Sequence, residues 1–76
     1  MQFKINTTSS DSLLAIQDKI RNKFPNAALA FEVNNEENVL KVNGLPSDNL
    51  HAEEIERAIA ETGFNGSWLQ RGIDNK

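Results

Sequence analysis

The chain has 76 residues, 38% of them apolar and 25% charged, with a formal net charge of -3 and no cysteine. That length makes one domain whose core only just offsets the entropy of ordering it, which speaks against multi-step enzymology. The acidic balance speaks against affinity built on neutralising phosphates, and the missing cysteines remove disulfides, thiolate metal sites and iron–sulfur clusters.

In chain order, "MQFKINT" alternates, with Phe3 and Ile5 on one side and Gln2, Lys4 and Asn6 on the other, the period of a half-buried strand. Leu13, Ile16, Ile20 and Phe24 then recur at spacings of three and four, with Ala15 beside Ile16, which predicts an amphipathic helix stopped by Pro25 and Asn26. "ALAFEV" and "VLKVN", separated by the polar "NNEEN", read as an antiparallel hairpin with Leu29, Phe31, Val33, Leu40 and Val42 inward. After the loop "GLPSDN", the segment "LHAEEIERAIAETGF" sets Leu50, Ala52, Ile55, Ala58 and Ile59 on a second helical stripe, capped by Asp48 or Asn49 and closed by Gly63. "WLQR" reads as a last strand and residues 72–76 as a fraying tail.

The order β-α-β-β-α-β predicts an α+β, ferredoxin-like sandwich, a four-stranded antiparallel sheet with two helices on one face. The outward sheet positions read Gln2, Lys4, Asn6, Ala28, Ala30, Glu32, Val39, Lys41 and Asn43, so no aromatic platform for stacking bases is expected. Phe3, Phe24, Phe31 and Phe64 read as core. Trp68 either packs at the sheet edge or stands partly exposed as an interaction anchor.

This pattern resembles the heavy-metal-associated domain of copper chaperones and metal-transporting ATPases. That family places Gly-Met-Thr-Cys-x-x-Cys between strand one and helix one, followed by apolar positions one, four and eight residues after the second Cys. Leu13, Ile16 and Ile20 match those positions if Ser12 stands at the second Cys and Ser9 at the first. Thr8 then falls on the family Thr, Asn6 replaces the Gly and Thr7 the Met. Downstream, "EIERAIAETGF" is similar to the family's Ile-x-x-Ala-Ile-x-x-x-Gly-Phe ending, and "ALAFEVNNEENVLKVNG" to its hairpin. The resemblance covers about residues 2–70 and implies one domain over 1–76. It implies no thiolate exchange of copper, because a hard serine hydroxyl does not replace a soft, polarizable thiolate.

Read from the residues alone, "TSSDS" is a helix N-cap, with a Ser or Thr oxygen accepting from a first-turn amide and Asp11 near the positive end of the dipole. The alternative is an anion or hard-cation site, for which Asp11 is the one carboxylate. His51 opens helix two, with Glu54 as the one obvious partner on its face. No nucleophile or orienting partner is spaced for general-base work, so neither an enzyme nor a cofactor is expected.

Lys19, Arg21 and Lys23 cluster toward the end of helix one, while Glu53, Glu54, Glu56 and Glu61 dominate helix two. These charges are either two solvated faces touching where the helices neighbour each other, or a polarised surface that docks a protein partner.

The sequence therefore predicts a non-enzymatic, heavy-metal-associated-like domain acting as a protein-interaction module. The alternative is a metal binder or metal-transport-related protein using Ser, Asp or His ligands, in which Asp11 and His51 are the residual candidates. Nucleic acid and membrane insertion are not expected. Pairing of sheet edges leaves a homodimer open. Residues 1–25 hold no apolar run of signal-peptide length and nothing later reaches the roughly 18 residues of a span, so a cytoplasmic protein is expected.

Overall fold

A computed structural model describes residues 1–7 and 9–69; the element order is β1 (Gln2–Ile5), α1 (Ser10–Lys23), β2 (Ala30–Asn34), β3 (Val39–Asn43), α2 (Asn49–Glu61) and β4 (Gly66–Trp68). The strands form one antiparallel sheet in the order β2-β3-β1-β4, and both helices lie on its inner face. This is the ferredoxin-like α+β sandwich. The tail at 72–76 lies outside the described residues, as does the end of "WLQR".

Alternation along β1 sends Phe3 and Ile5 inward, where they meet Leu40 and Val42 of β3 and Trp68 of β4. Leu13, Ile16 and Ile20 of α1 and Ala52, Ile55, Ala58 and Ile59 of α2 close the core from above. Phe24, Phe31 and Phe64 pack against it half-buried rather than within it. Trp68 is 6% exposed and belongs to the core, which settles its two readings in favour of packing.

Three apolar assignments differ. Ala15 is exposed and the α1 stripe is narrower than the spacing suggests. Leu50 is 70% exposed, in the first turn of α2, which starts one residue before it. Val39, an outward position, is 8% exposed. Lys4 stands opposite Val39 on β1, and its ammonium reaches across to the Glu37 carbonyl at 2.5 Å.

The helix ends follow local chemistry. Phe24 N–H still bonds the Ile20 and Arg21 carbonyls at 3.2 Å each, but Pro25 next to it holds Phe24 out of helical geometry, at φ -129° and ψ 65°. The β2–β3 turn is held by the Asn34 side chain, whose Oδ1 accepts from Glu36 N at 3.0 Å and Glu37 N at 3.2 Å, and Asn38 takes the left-handed conformation at φ 57°.

Candidate functional site

The β1–α1 turn is where the sequence raises the question of a ligand. Ser9 is the N-cap residue in extended conformation, and its carbonyl accepts from Leu13 N at 2.9 Å to start the helix. Its hydroxyl makes no capping bond, contrary to the N-cap expectation. The Ser9 N–H instead donates to Thr7 Oγ1 at 3.3 Å. Ser9, Ser10 and Asp11 are all exposed, so water reaches the first-turn amides and little is lost by leaving the side chain out.

The start of the turn is tied to the opposite loop. Asn65 N donates to Asn6 Oδ1 at 2.9 Å and Asn6 N to the Asn65 carbonyl at 3.3 Å, a reciprocal pair that fastens β1 to the α2–β4 connection. Phe64, next to Asn65 in the chain, packs half-buried against the core. What the turn offers a ligand is therefore hydroxyls and one exposed carboxylate. That donor set does not fit copper(I), which takes thiolates or thioethers. Among the described residues no three His, Cys, Asp or Glu side chains stand close enough to hold a metal ion.

His51 is far from that turn. It starts α2 beside the C-terminus of α1, whereas Asp11 starts α1, and the 14-residue helix between them is about 21 Å long at 1.5 Å per residue. The two residual metal candidates are not brought together. Nor is Glu54 the partner of His51: the ring Nδ1 lies 2.7 Å from Asp48 Oδ1, the same oxygen that accepts the His51 main-chain N–H at 2.8 Å. The ring also stacks on Phe24, centroids 5.9 Å apart and planes 27° apart. Asp48 is the α2 N-cap foreseen from sequence, and the His51 amide, then its ring, hold the Asp48 carboxyl below its ordinary pKa.

Lys19, Lys23 and Glu54 are brought together at the seam between the helices. Lys19 Nζ lies 3.5 Å from Glu61; Lys23 Nζ lies 3.8 Å from Glu61 and 3.9 Å from Glu54. Glu54 also meets Arg57 at 3.5 Å. Arg21 points the other way, pairing with Asp18 at 3.5 Å and lying over the Phe31 ring of β2, 5.0 Å from its centroid. Glu53 is exposed on the outer side of α2. Glu56 turns to the sheet, where its Oε2 accepts the main-chain N–H of Trp68 at 2.7 Å. That tether had no sequence signal, since nothing local distinguishes Glu56 from Glu53.

The outer face of the sheet carries Gln2, Lys4, Glu32, Asn34, Lys41 and Ser67, and no aromatic side chain among the described residues. A shallow depression of about 290 Å³ lies there between Gln2, Glu32, Glu37, Val39 and Lys41. No helix of the described residues is long and apolar enough to cross a membrane.

No family model matches the chain. No curated protein matches it either. Among solved structures, the copper chaperone Atx1 from Synechocystis PCC6803, in its Cu2 form, superposes with a TM-score of 0.66 at 16% identity, covering 88% of this chain and 98% of that one. At that identity the likeness shows the fold, and the ferredoxin-like sandwich of a copper chaperone is what this cysteine-free chain shares with it.

Proposed function

We infer that the chain is a non-enzymatic, heavy-metal-associated-like domain that works as a cytoplasmic protein-interaction module without the thiolate metal site. One observation carries this reading: the chain has the fold of a copper chaperone, yet its β1–α1 turn offers hydroxyls, the Asn6 amide and Asp11 where thiolates would be needed, with the Ser9 N–H on Thr7 and Asn6 paired to Asn65. A soft metal finds no ligand there. The docking surface in this reading is the charged helix face, Lys19, Arg21, Lys23, Glu53, Glu54 and Glu56. Within it Arg21 and Glu53 are the exposed charges, the seam of Lys19, Lys23 and Glu54 fixes their spacing, and Glu56 acts indirectly by holding β4. Charge of this kind steers and selects partners more than it adds affinity.

The competing reading, a metal site of Ser, Asp or His ligands, draws on one observation. A proton on His51 Nδ1 serving Asp48 leaves Nε2 as the acceptor, as in histidines oriented for a metal. Among the described residues it belongs to no group of three His, Cys, Asp or Glu side chains that could hold a metal ion.

An NMR titration of labelled protein with Cu(I), Zn(II) and Ca(II), each against a chelator control, separates the two. The expected result is no saturable shift at Ser9–Ser12 or His51, together with salt-sensitive capture of a protein partner that is lost when Lys19, Arg21 and Lys23 are reversed in charge. Saturation at micromolar metal, clustered at either place, overturns the interaction reading.

A further inference from the structure

The two edges of the sheet are finished differently, and the hydrogen-bond phase of the strands shows how. Val42 N donates to the Met1 carbonyl at 2.7 Å, the Met1 nitrogen donates back to Val42 O at 2.7 Å, and Ile5 N bonds the Asn38 carbonyl at 2.8 Å. Main-chain groups of Leu40 and Val42 therefore point to β1, and those of Val39, Lys41 and Asn43 to β2. On β2 the ladder is made by Ala30, Glu32 and Asn34. The N–H and C=O of Phe31 and Val33 point away from the sheet, into the open edge.

The same phase carried to the other edge makes the N–H of Trp68 point outward from β4, and there it is taken by Glu56 of α2. Among the described residues no side chain does this for Phe31 or Val33. Edges of this kind are usually blunted by charged side chains, lysine above all, by proline or by a bulge. β2 reads AFEVN, with no lysine, proline or bulge, and Glu32 is its single charge.

The inner side of this edge is also incompletely covered. Phe31 and Val33 are half-buried, and the α1 flank above them carries Arg21 over Phe31 and, seven residues earlier on the same flank, Leu14 at 57% exposure. A fifth strand beside β2 would place its inward side chains against Leu14, Phe31 and Val33. Its outward side chains would extend the cross-strand row Gln2, Lys41, Glu32, next to Glu36 and Glu37 of the turn.

We propose that the open edge of β2 is a strand-addition site, and that its occupant is an extended segment of a partner protein alternating apolar residues with Lys or Arg. Main-chain bonds to Phe31 and Val33 supply the pairing, apolar side chains fill the flank under α1, and the basic ones meet Glu32. A second copy fits poorly. Antiparallel self-pairing must set residues of one face opposite each other, so a two-fold axis at Glu32 opposes two carboxylates. An axis at Phe31 brings together two Arg21 guanidiniums, and one at Val33 runs into the turn held by Asn34. The proposal rests on the interaction-module reading but not on the helix face as its surface.

The test uses the whole labelled chain and two short peptides, one alternating Val with Lys and one alternating Val with Glu. The Val–Lys peptide is expected to shift the amides of Phe31, Glu32 and Val33 and to slow exchange at Phe31 and Val33, binding about tenfold more tightly than the Val–Glu peptide. Glu32→Lys, an exposed change that leaves the fold intact, reverses that preference. Val33→Pro removes one outward N–H without touching the ladder to β3 and abolishes the slowed exchange. Four results overturn the proposal: no shift at β2 at millimolar peptide, equal binding of both peptides, shifts confined to the helix seam, or protection of Phe31 and Val33 that grows with protein concentration alone. Shifts at the seam overturn the edge and leave the interaction module standing, whereas saturable metal binding overturns the module itself.

Discussion

Glu56 and Trp68 join the second helix to the last strand: the carboxylate Oε2 accepts the Trp68 main-chain N–H at 2.7 Å. The bond supplies on β4 what a fifth strand would supply, and it holds the Trp68 ring in the core. A charge-assisted bond of this kind contributes about 1.5–3 kcal/mol. Glu56→Ala is expected to lower the melting temperature by roughly 6–24 °C and Glu56→Gln, which keeps the acceptor, by less than half of that. Thermal melts by circular dichroism with Trp68 fluorescence check it, and equal losses for both variants contradict the tether.

Gly44 makes a second expectation. Its φ is +107° and a Cβ there would meet the Ala28 carbonyl and the Leu29 main chain, neither of which can swing aside. Gly44→Ala combines that overlap with a left-handed strain and should cost about 2–4 kcal/mol. Gly63, at φ +94° with nothing near its Cβ position, bears the strain alone, so Gly63→Ala should cost about 1 kcal/mol. Urea denaturation of the pair gives the comparison, and a Gly63 variant as damaged as the Gly44 variant would contradict the role of Ala28.

The Asp48 carboxyl makes a pH expectation. Its pKa is lowered in the folded chain by the His51 amide and ring. A depressed folded pKa means stability that is present above the ordinary Asp value and is lost as pH falls through the folded one. Melts between about pH 2 and pH 6, roughly the carboxylate range, should show part of the acid limb vanish in Asp48→Asn. That variant keeps an acceptor for the His51 N–H and should lose only a few degrees at neutral pH, whereas Asp48→Ala loses the cap. An unchanged acid limb refutes the linkage.

The seam of Lys19, Lys23, Glu54 and Glu61 spans 3.5–3.9 Å contacts between side chains that are 24–43% exposed. Partly exposed pairs at such lengths contribute about 0.2–1 kcal/mol and are screened by salt. A double-mutant cycle of Lys23→Met with Glu61→Gln should give a coupling in that range, about halved at molar salt. A coupling above about 2 kcal/mol, indifferent to salt, would make the seam a structural device rather than a solvated face.

Much of this fold is legible in the chain. Phe3 and Ile5 alternate, Leu13, Ile16 and Ile20 keep helical spacing, and Asp48 precedes its helix as a cap; all take the expected places because each signal is local. Ala15, Leu50 and Val39 depart from expectation for a shared reason. Periodicity says which way a side chain points, but what lies over it depends on elements elsewhere in the chain: Leu50 in the first turn of α2 stays exposed, and Val39 on the outward face is covered. Ser9 departs because an exposed helix end lets water do what its hydroxyl was expected to do. The candidate site was less legible. His51 met Asp48 and Phe24 rather than Glu54, and Glu56 left the charged face for β4, since spacing along one helix is blind to partners from other elements.

The chain by itself determines the order of its elements, the inward positions of its strands and the absence of thiolates from the β1–α1 turn, because side-chain period and ligand chemistry are properties of single residues and short spacings. Tertiary structure alone decides that Lys23 meets Glu54 and Glu61, that Glu56 caps one sheet edge, and that Phe31 and Val33 turn their main-chain groups to the other. Those relations depend on strand order and ladder phase. Both are set by packing residues that lie dozens of positions apart, and no local pattern in the sequence encodes them.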